Sequence, residues 1–445
     1  MKELLKAAAK SSAGTFITLL SSAVAVKIIA VFAGPAGIGL FSLLRQIQQT
    51  ASIVGVMGGQ AAIVQGLADK EGRERAAYTG VILRTVIIAT CLVCAFVILG
   101  APWLAHWILG DLQNATRIFR FLAIPILLGS GVLFLSGVIN SHRAVGALAL
   151  VQIAAGLSLA AFAYVSSIQA TGLAFVVLLA SSSFTALAVA TYLCTRNSWL
   201  GPLTNGWWQS APKGRSAEFL KVASATLVTG LVGTGSVLII RAAVSKYQGY
   251  AGAGIFDAGW TLSMTYVMLI LTSFNAYYLP TLGKLKTQAQ ARNNLIQQYF
   301  KFATLASIPL IASVMLLKPW VIELLYSREF IPAIHMMRWM LLGDFFKISS
   351  WVLAMPMLAY ADMRPYVISE LLWNAGLVLL GYIALRMGAG IENIGIIFMI
   401  LYFLYFLYTY YYCKRKFKLT LSLNLKLTWI SGFAFLFGIS FLTSY

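Results

Sequence analysis

Lys27, Arg45, Arg84, Arg241 and Lys347 stand inside or just within long apolar stretches of the chain. A cation at the centre of hydrocarbon costs from about 2.5 kcal/mol upward unless it faces a wet cavity or a partner, so such residues point to function. The ligand they call for is an anion. Polar residues recur around two of these positions at helical spacing. Ser42, Arg45, Gln49 and Ser52 follow one another at intervals of three, four and three, which places them within about 60° on one helix face. Asp257, Thr261, Met268, Thr272 and Asn275 form a similar stripe over about five turns. Stripes of Ser and Thr alone suit helix packing through hydrogen bonds. With Arg45 and Asp257 added, the expectation is a watery cavity with Arg45 on one wall and Asp257 on the other.

Three other charges read less simply. Asp344 and Lys347 are three residues apart, and either neutralise each other on one helix face or serve as cavity-lining or coupling groups. Glu370 is placed to pair with Arg364. Arg84, near the end of its apolar run, suits snorkelling to phosphate head groups. The run Tyr402 to Tyr412 reads as an interfacial anchoring belt.

The elements that must position these residues follow from composition. The 445 residues are 60% hydrophobic and 10% charged, with mean hydropathy +0.83, whereas soluble chains are about 25% charged. This is an all-α polytopic membrane protein. Apolar windows long enough to cross about 30 Å of hydrocarbon as helix fall at 11–33, 40–66, 79–99, 118–140, 146–168 and 171–193. After a polar, basic stretch, six more fall at 219–243, 253–279, 300–318, 333–360, 365–386 and 392–412. The expected organisation is an N-terminal six-helix lobe at 1–195, a basic linker at 196–218, a second six-helix lobe at 219–415, and a tail at 416–445 whose run 428–444 adds an extra C-terminal helix, spanning or flat. With the N-terminus cytoplasmic, 21 Lys and Arg residues lie on the cytoplasmic side against 7 on the other, which sets the orientation. Much of the net charge of +20 is therefore topology, and no nucleic-acid partner is expected.

The halves echo each other. Gly34-Pro35-Ala36-Gly37-Ile38-Gly39-Leu40-Phe41 aligns with Gly249-Tyr250-Ala251-Gly252-Ala253-Gly254-Ile255-Phe256 at an offset of 215. Asn140-Ser141-His142-Arg143 aligns with Ala361-Asp362-Met363-Arg364 at 221. Six spans per repeat is an even number, so the lobes share one orientation and a pseudo-two-fold axis along the membrane normal.

Enzymatic constellations are not visible: the chain has no Walker A sequence, no H-E-x-x-H and no G-x-S-x-G. His106, His142 and His335 are too scattered for a metal site, and Cys91 and Cys94, despite their C-x-x-C spacing, fall in mid-span as packing residues. No enzyme, cofactor or metal is expected. The class that fits is transport.

The stretch Val26 to Gly39 followed by Arg45-Gln46, together with Tyr277-Tyr278-Leu279-Pro280-Thr281-Leu282 and Gly343-Asp344-Phe345-Phe346-Lys347, resembles Wzx-type lipid-linked oligosaccharide flippases. These include O-antigen and common-antigen translocases, within the multidrug/oligosaccharidyl-lipid/polysaccharide (MOP) exporter superfamily, and the likeness covers roughly residues 1–415. The resemblance implies a MATE-like pair of lobes in a bacterial inner membrane. It further implies alternating access, and an undecaprenyl-diphosphate-linked glycan carried from the cytoplasmic to the periplasmic leaflet. A diphosphate matches the cations Lys27, Arg45 and Arg241, because Arg grips phosphate oxygens bidentately. The sugar would meet Gln49, Ser52, Thr272 and Asn275, while Asp257, Asp344 and Lys347 line the cavity or couple transport to H+ or Na+. Membrane lipids, a polysaccharide polymerase and a chain-length regulator are the implied partners. The competing reading is a MATE-like ion-coupled exporter of drugs or small molecules, for which an acidic cavity would be expected.

Overall fold

A computed structural model describes residues 2–58, 60–67, 72–110, 112–199 and 215–443; the side chains of Thr272 and Asn275, and most of the 196–218 linker, lie outside the described residues. Helices α1 (Lys2–Gly55), α2 (Gln60–Leu67), α3 (Gly72–Leu99), α4 (Ala101–Leu109), α5 (Ala115–Ser141), α6 (Val145–Gln169) and α7 (Gly172–Arg196) come first. They are followed by α8 (Arg215–Lys284), α9 (Ala289–Leu325), α10 (Ala333–Ala359), α11 (Met363–Arg386), α12 (Glu392–Phe417) and α13 (Leu423–Leu442). Helix is what the composition demands, because backbone N–H and C=O groups in hydrocarbon must be satisfied within their own segment. Among the described residues, eleven helical stretches are long and apolar enough to cross a membrane. The last is α13, so the part of the C-terminal apolar run up to residue 442 belongs to a helix of spanning length. Trp429 of α13 stacks on Phe406 at 4.6 Å and donates its indole N–H to Ser349 Oγ at 2.9 Å.

Two of the eleven stretches are broken by a glycine. Gly34 interrupts α1 with φ 63° and ψ −166°, and Gly249 interrupts α8 with φ 72° and ψ 176°. Only glycine adopts this backbone without strain. Three residues on, each break brings the chain close to itself. A Cβ at Gly37 would lie 2.2 Å from Ala33 Cβ, and one at Gly252 would lie 2.6 Å from Gln248 Cβ. The breaks and their close approaches both recur at an offset of 215, the offset of the sequence echo.

The second echo needs correcting. Arg143 and Ala361 both have positive φ, 56° and 55°. Each closes a helix by the same pair of backbone bonds, Arg143 to Asn140 and Ala144 to Ile139, and Ala361 to Leu358 and Asp362 to Met357. The structurally equivalent residues are thus 218 apart, and Arg143 does not correspond to Arg364. The identity at 221 reflects similar turn composition slipped by three positions.

The chain divides into two compact units, 1–246 and 247–445. In the first, α1 packs along α6, and α7 packs on α5 and α6; Val56, Ile63, Tyr78, Phe134, Ile139 and Ala186 belong to one core cluster. In the second, α10 is the central helix, packed on α12 and α9. The close fit of α10 to α12 depends on glycine, since a Cβ at Gly343 would meet the Phe398 ring at 2.6 Å and one at Gly395 the Met336 carbonyl oxygen at 2.5 Å.

Candidate substrate-binding site

The polar face of α1 opens onto a cavity of about 390 Å³ within the first unit. Arg45, Gln48, Gln49, Ser52 and Ile53 form the α1 wall, Gly129, Val132 and Leu133 come from α5, Ala155 and Leu159 from α6, Leu179, Ser182, Ser183 and Ala186 from α7, and Thr234 from α8. Among these described residues Arg45 is the one charge. Gln48 Nε2 donates to Ser183 Oγ at 2.8 Å and to the Pro125 carbonyl at 2.9 Å, which fixes the amide across the cavity wall. Ser52 Oγ donates to the Ile126 carbonyl at 3.2 Å, and Ser182 Oγ to the Ala155 carbonyl at 2.9 Å. Gly129 permits the approach of α1 to α5, because a Cβ there would stand 2.8 Å from Ser52 Oγ and 3.2 Å from Gln48 Nε2. Gln49 is exposed and Arg45 half-buried, so both present polar atoms to the open space. A half-buried guanidinium among fixed amides and hydroxyls is chemically suited to an anionic, hydrogen-bonding ligand.

The other expected cations stand apart from this lining. Arg241 is buried on α8, and its Nη1 donates to the Ser42 carbonyl at 3.2 Å, one turn before Arg45. Nearby, Gln46 Nε2 donates to the Thr234 carbonyl at 3.1 Å. Arg241 therefore sits against the helix that carries Arg45, while Lys27 is half-buried on the preceding segment of α1. Neither is among the residues that line the cavity.

The second unit arranges its charges differently. Asp344 is fully buried on α10, and its Oδ2 accepts from Ser263 Oγ and Tyr266 Oη, each at 2.6 Å. Its Oδ1 is buried with no hydrogen-bond partner among the described residues. Lys347 points its ammonium at Met264 Sδ, 3.0 Å away, and lies 5.5 Å from the centre of the Tyr402 ring and 5.8 Å from that of Phe398. Among the described residues no direct ion pair joins Asp344 to Lys347, but the two buried charges, three residues apart on α10, still attract each other through space. Glu370 accepts a hydrogen bond from Tyr405 at 3.1 Å in place of the expected partner Arg364. Asp257, at 9% exposure, lies with Thr261 Oγ1 3.5 Å from its Oδ1.

Residues 28–335 match the polysaccharide biosynthesis protein family. The chain belongs to that family. Relatives within reach of it by sequence are lipid III flippases: those of Escherichia coli (strain K12) and Shigella flexneri are each 25% identical over 378 residues, 82% of this chain and 88% of theirs. The fold is shared more widely. The lipid II flippase MurJ, in an inward closed conformation, superposes with TM-score 0.76 at 13% identity, covering 98% of this chain and 93% of its own. An inward-facing multidrug resistance MATE transporter of the MOP superfamily gives 0.71 at 13% identity, covering 93% and 95%. A MOP transporter from Pyrococcus furiosus, described by a reversed polarity of its binding pocket, gives 0.61 at 13% identity, covering 92% and 93%. The fold shared with these transporters is the all-helical one expected from the spans.

Several residues of this family member were not singled out from the sequence. Ser182, Ser183 and Thr234 line the cavity; the consecutive Ser181-Ser182-Ser183 in the middle of an apolar run was the available signal. Ser263, Tyr266 and Met264, which hold Asp344 and Lys347, left none, because hydroxyls and thioethers are common in spanning helices. The tyrosine run also departs from a pure belt. Tyr411 is 59% exposed, but Tyr402 faces Lys347, Tyr405 bonds Glu370 and Tyr412 bonds Asp362.

Proposed function

We propose that this chain flips an undecaprenyl-diphosphate-linked oligosaccharide from the cytoplasmic to the periplasmic leaflet of a bacterial inner membrane by alternating access. The observation that carries this reading is the cavity of the first unit, polar on one face and carrying a single guanidinium, in a member of a polysaccharide biosynthesis family whose relatives include lipid III flippases. Arg45 takes the diphosphate, with Arg241 and Lys27 adding positive charge from outside the cavity lining, and Gln48, Gln49 and Ser52 take sugar hydroxyls. The lipid tail stays in the bilayer. A drug exporter accepting organic cations would be opposed by the charge of Arg45. In this reading Asp344, whose Oδ1 lacks a hydrogen-bond partner among the described residues, takes up a coupling H+ or Na+. Once flipped, the glycan is available to a polymerase and its chain-length regulator.

Transport of a synthetic short-chain lipid-diphosphate sugar into vesicles tests the assignment. Arg45→Lys should keep part of the activity and Arg45→Gln almost none, since the neutral amide leaves the diphosphate without its counter-charge in a low-dielectric passage. Wild-type rates in Arg45→Gln would remove Arg45 from the head-group site. Orientation is tested separately, by labelling single cysteines in a cysteine-free background. Gln169→Cys, at an exposed helix end, should react from outside the cell, and Gln288→Cys, in an exposed turn, only after the membrane is permeabilised.

A further inference from the structure

The candidate span of α3 ends at Leu99 and that of α5 begins at Ala115, so the residues between them sit where hydrocarbon gives way to water. Helix α4 occupies this level. Ala101, Ala105, Ile108 and Leu109 are its buried face. Trp103 and Trp107, 66% and 51% exposed, stack in parallel at 6.4 Å on the other, as tryptophans at lipid head-group depth do. Between α4 and the start of α5 lies a cavity of about 820 Å³ whose lining includes His106, Asn114, Thr116, Arg117 and Arg120. That volume is within the range of small-molecule sites, about 300–1,000 Å³.

Among the described residues, every charged side chain lining this space is basic. Arg117 has its guanidinium 5.8 Å from the Phe121 ring centre, and among the described residues neither it nor Arg120 forms an ion pair with a carboxylate. The first turn of α5 also faces the cavity through Ala115, Thr116 and Arg117. Asn114, at φ 60°, precedes it without a side-chain cap; the Ala115 N–H is taken by the Leu112 carbonyl at 3.1 Å, and those of Thr116 and Arg117 have no intrahelical acceptor. Two guanidinium groups and an uncapped helix start converge on one space at head-group depth. We propose that this cavity binds the phosphate of an anionic bilayer lipid, separately from the cavity that contains Arg45. Arginine suits this task because its planar fork takes two phosphate oxygens at once while its stem lies in apolar surroundings.

The test measures the affinity of the purified full chain in neutral detergent for short-chain phosphatidylglycerol, with short-chain phosphatidylcholine as the uncharged-head-group control. Wild type should prefer phosphatidylglycerol. Arg117→Gln and Arg120→Gln should each weaken that binding roughly tenfold, the scale of one charge-assisted hydrogen bond, and the double lysine variant should fall between. Arg45→Gln should bind as wild type does. Unchanged affinity in both single glutamine variants would overturn the site. Displacement by excess inorganic phosphate alone would overturn its lipid character, and displacement by a lipid-diphosphate sugar at far lower concentration than by phosphatidylglycerol would reassign the cavity to cargo and overturn the proposal as well.

Discussion

The first unit keeps the Arg45 guanidinium half-buried at the edge of a cavity of about 390 Å³, whereas the second unit closes over Asp344 and Lys347, leaving them at 0% and 8% exposure. Both arrangements grow from polar residues spaced along an apolar helix. What separates them is the neighbouring layer. Around Arg45, Gly129 and three small hydroxyl residues, Ser182, Ser183 and Thr234, leave space. Around Lys347, aromatic rings and a thioether fill it. A cation in a membrane helix can therefore serve as a binding group or as part of a sealed electrostatic core, and its own periodicity does not distinguish the two.

The largest effect that could break this contrast is on stability. Lys347→Met should cost about 3–5 kcal/mol, the penalty for leaving a buried charge uncompensated, visible as early thermal unfolding in detergent. Asp344→Asn combined with Lys347→Met should recover a substantial part of that loss, because neither charge then remains. Arg45→Met, in contrast, at a half-buried position, should cost less than Lys347→Met, because solvent screens the charges around it. If Arg45→Met and Lys347→Met unfold equally early, the two regions are not distinct in the way described.

Adding one methyl group sharpens the contrast at smaller scale. At Gly343 a Cβ would meet the Phe398 ring at 2.6 Å and the Met399 Cα at 3.0 Å; ring and backbone are held by the core, so Gly343→Ala should cost about 1–3 kcal/mol by overpacking. At Gly129 the nearest atom is the Ser52 hydroxyl, which can rotate into the cavity. Gly129→Ala should change unfolding less than Gly343→Ala does, yet slow transport more per folded molecule, since it releases Ser52 from the Ile126 carbonyl. Equal transport per folded molecule in the two variants would remove the cavity of the first unit from the pathway.

How much of this was legible follows the same physics. The helices, their number and the glycine breaks were readable, because hydrocarbon forces backbone self-satisfaction and because Gly34 and Gly249 recur in matched octapeptides. Ser42, Arg45, Gln49 and Ser52 could be placed on one face by counting. Depth and neighbours could not. That Arg45 lines a cavity and Arg241 docks on the Ser42 carbonyl depends on which helices pack together, and that Lys347 meets Met264 and Tyr402 while Asp344 bonds Ser263 and Tyr266 depends on residues far away in the sequence. The second echo was misaligned for a related reason: the turn is defined by a positive φ, which Arg143 and Ala361 share without sharing a side chain.

The smallest expected effect concerns those two turns. In the first unit Arg75 donates to Ser141 Oγ at 2.6 Å beside the turn. In the second, Asp362 accepts from Tyr412 at 2.7 Å and forms an ion pair with Lys416. The Lys416 ammonium, with the Tyr412 hydroxyl, holds the Asp362 carboxyl below its ordinary value of 3.8. A depressed carboxyl stabilises the fold fully above that ordinary value, and the contribution is lost as the pH falls through the lower, folded-state value. Asp362 has a side-chain exposure of 26% and Lys416 of 46%, so solvent screens the pair, and Asp362→Asn should cost less than about 1 kcal/mol at neutral pH. The difference between wild type and variant should shrink towards zero as the pH is lowered below 3.8, because the wild-type carboxyl is then itself neutral. Added salt should shrink it at neutral pH. A gap that stays constant from neutral pH down to about pH 2 would mean that Asp362 holds its turn by hydrogen-bond shape alone, and that the two turns are secured by the same kind of contact after all.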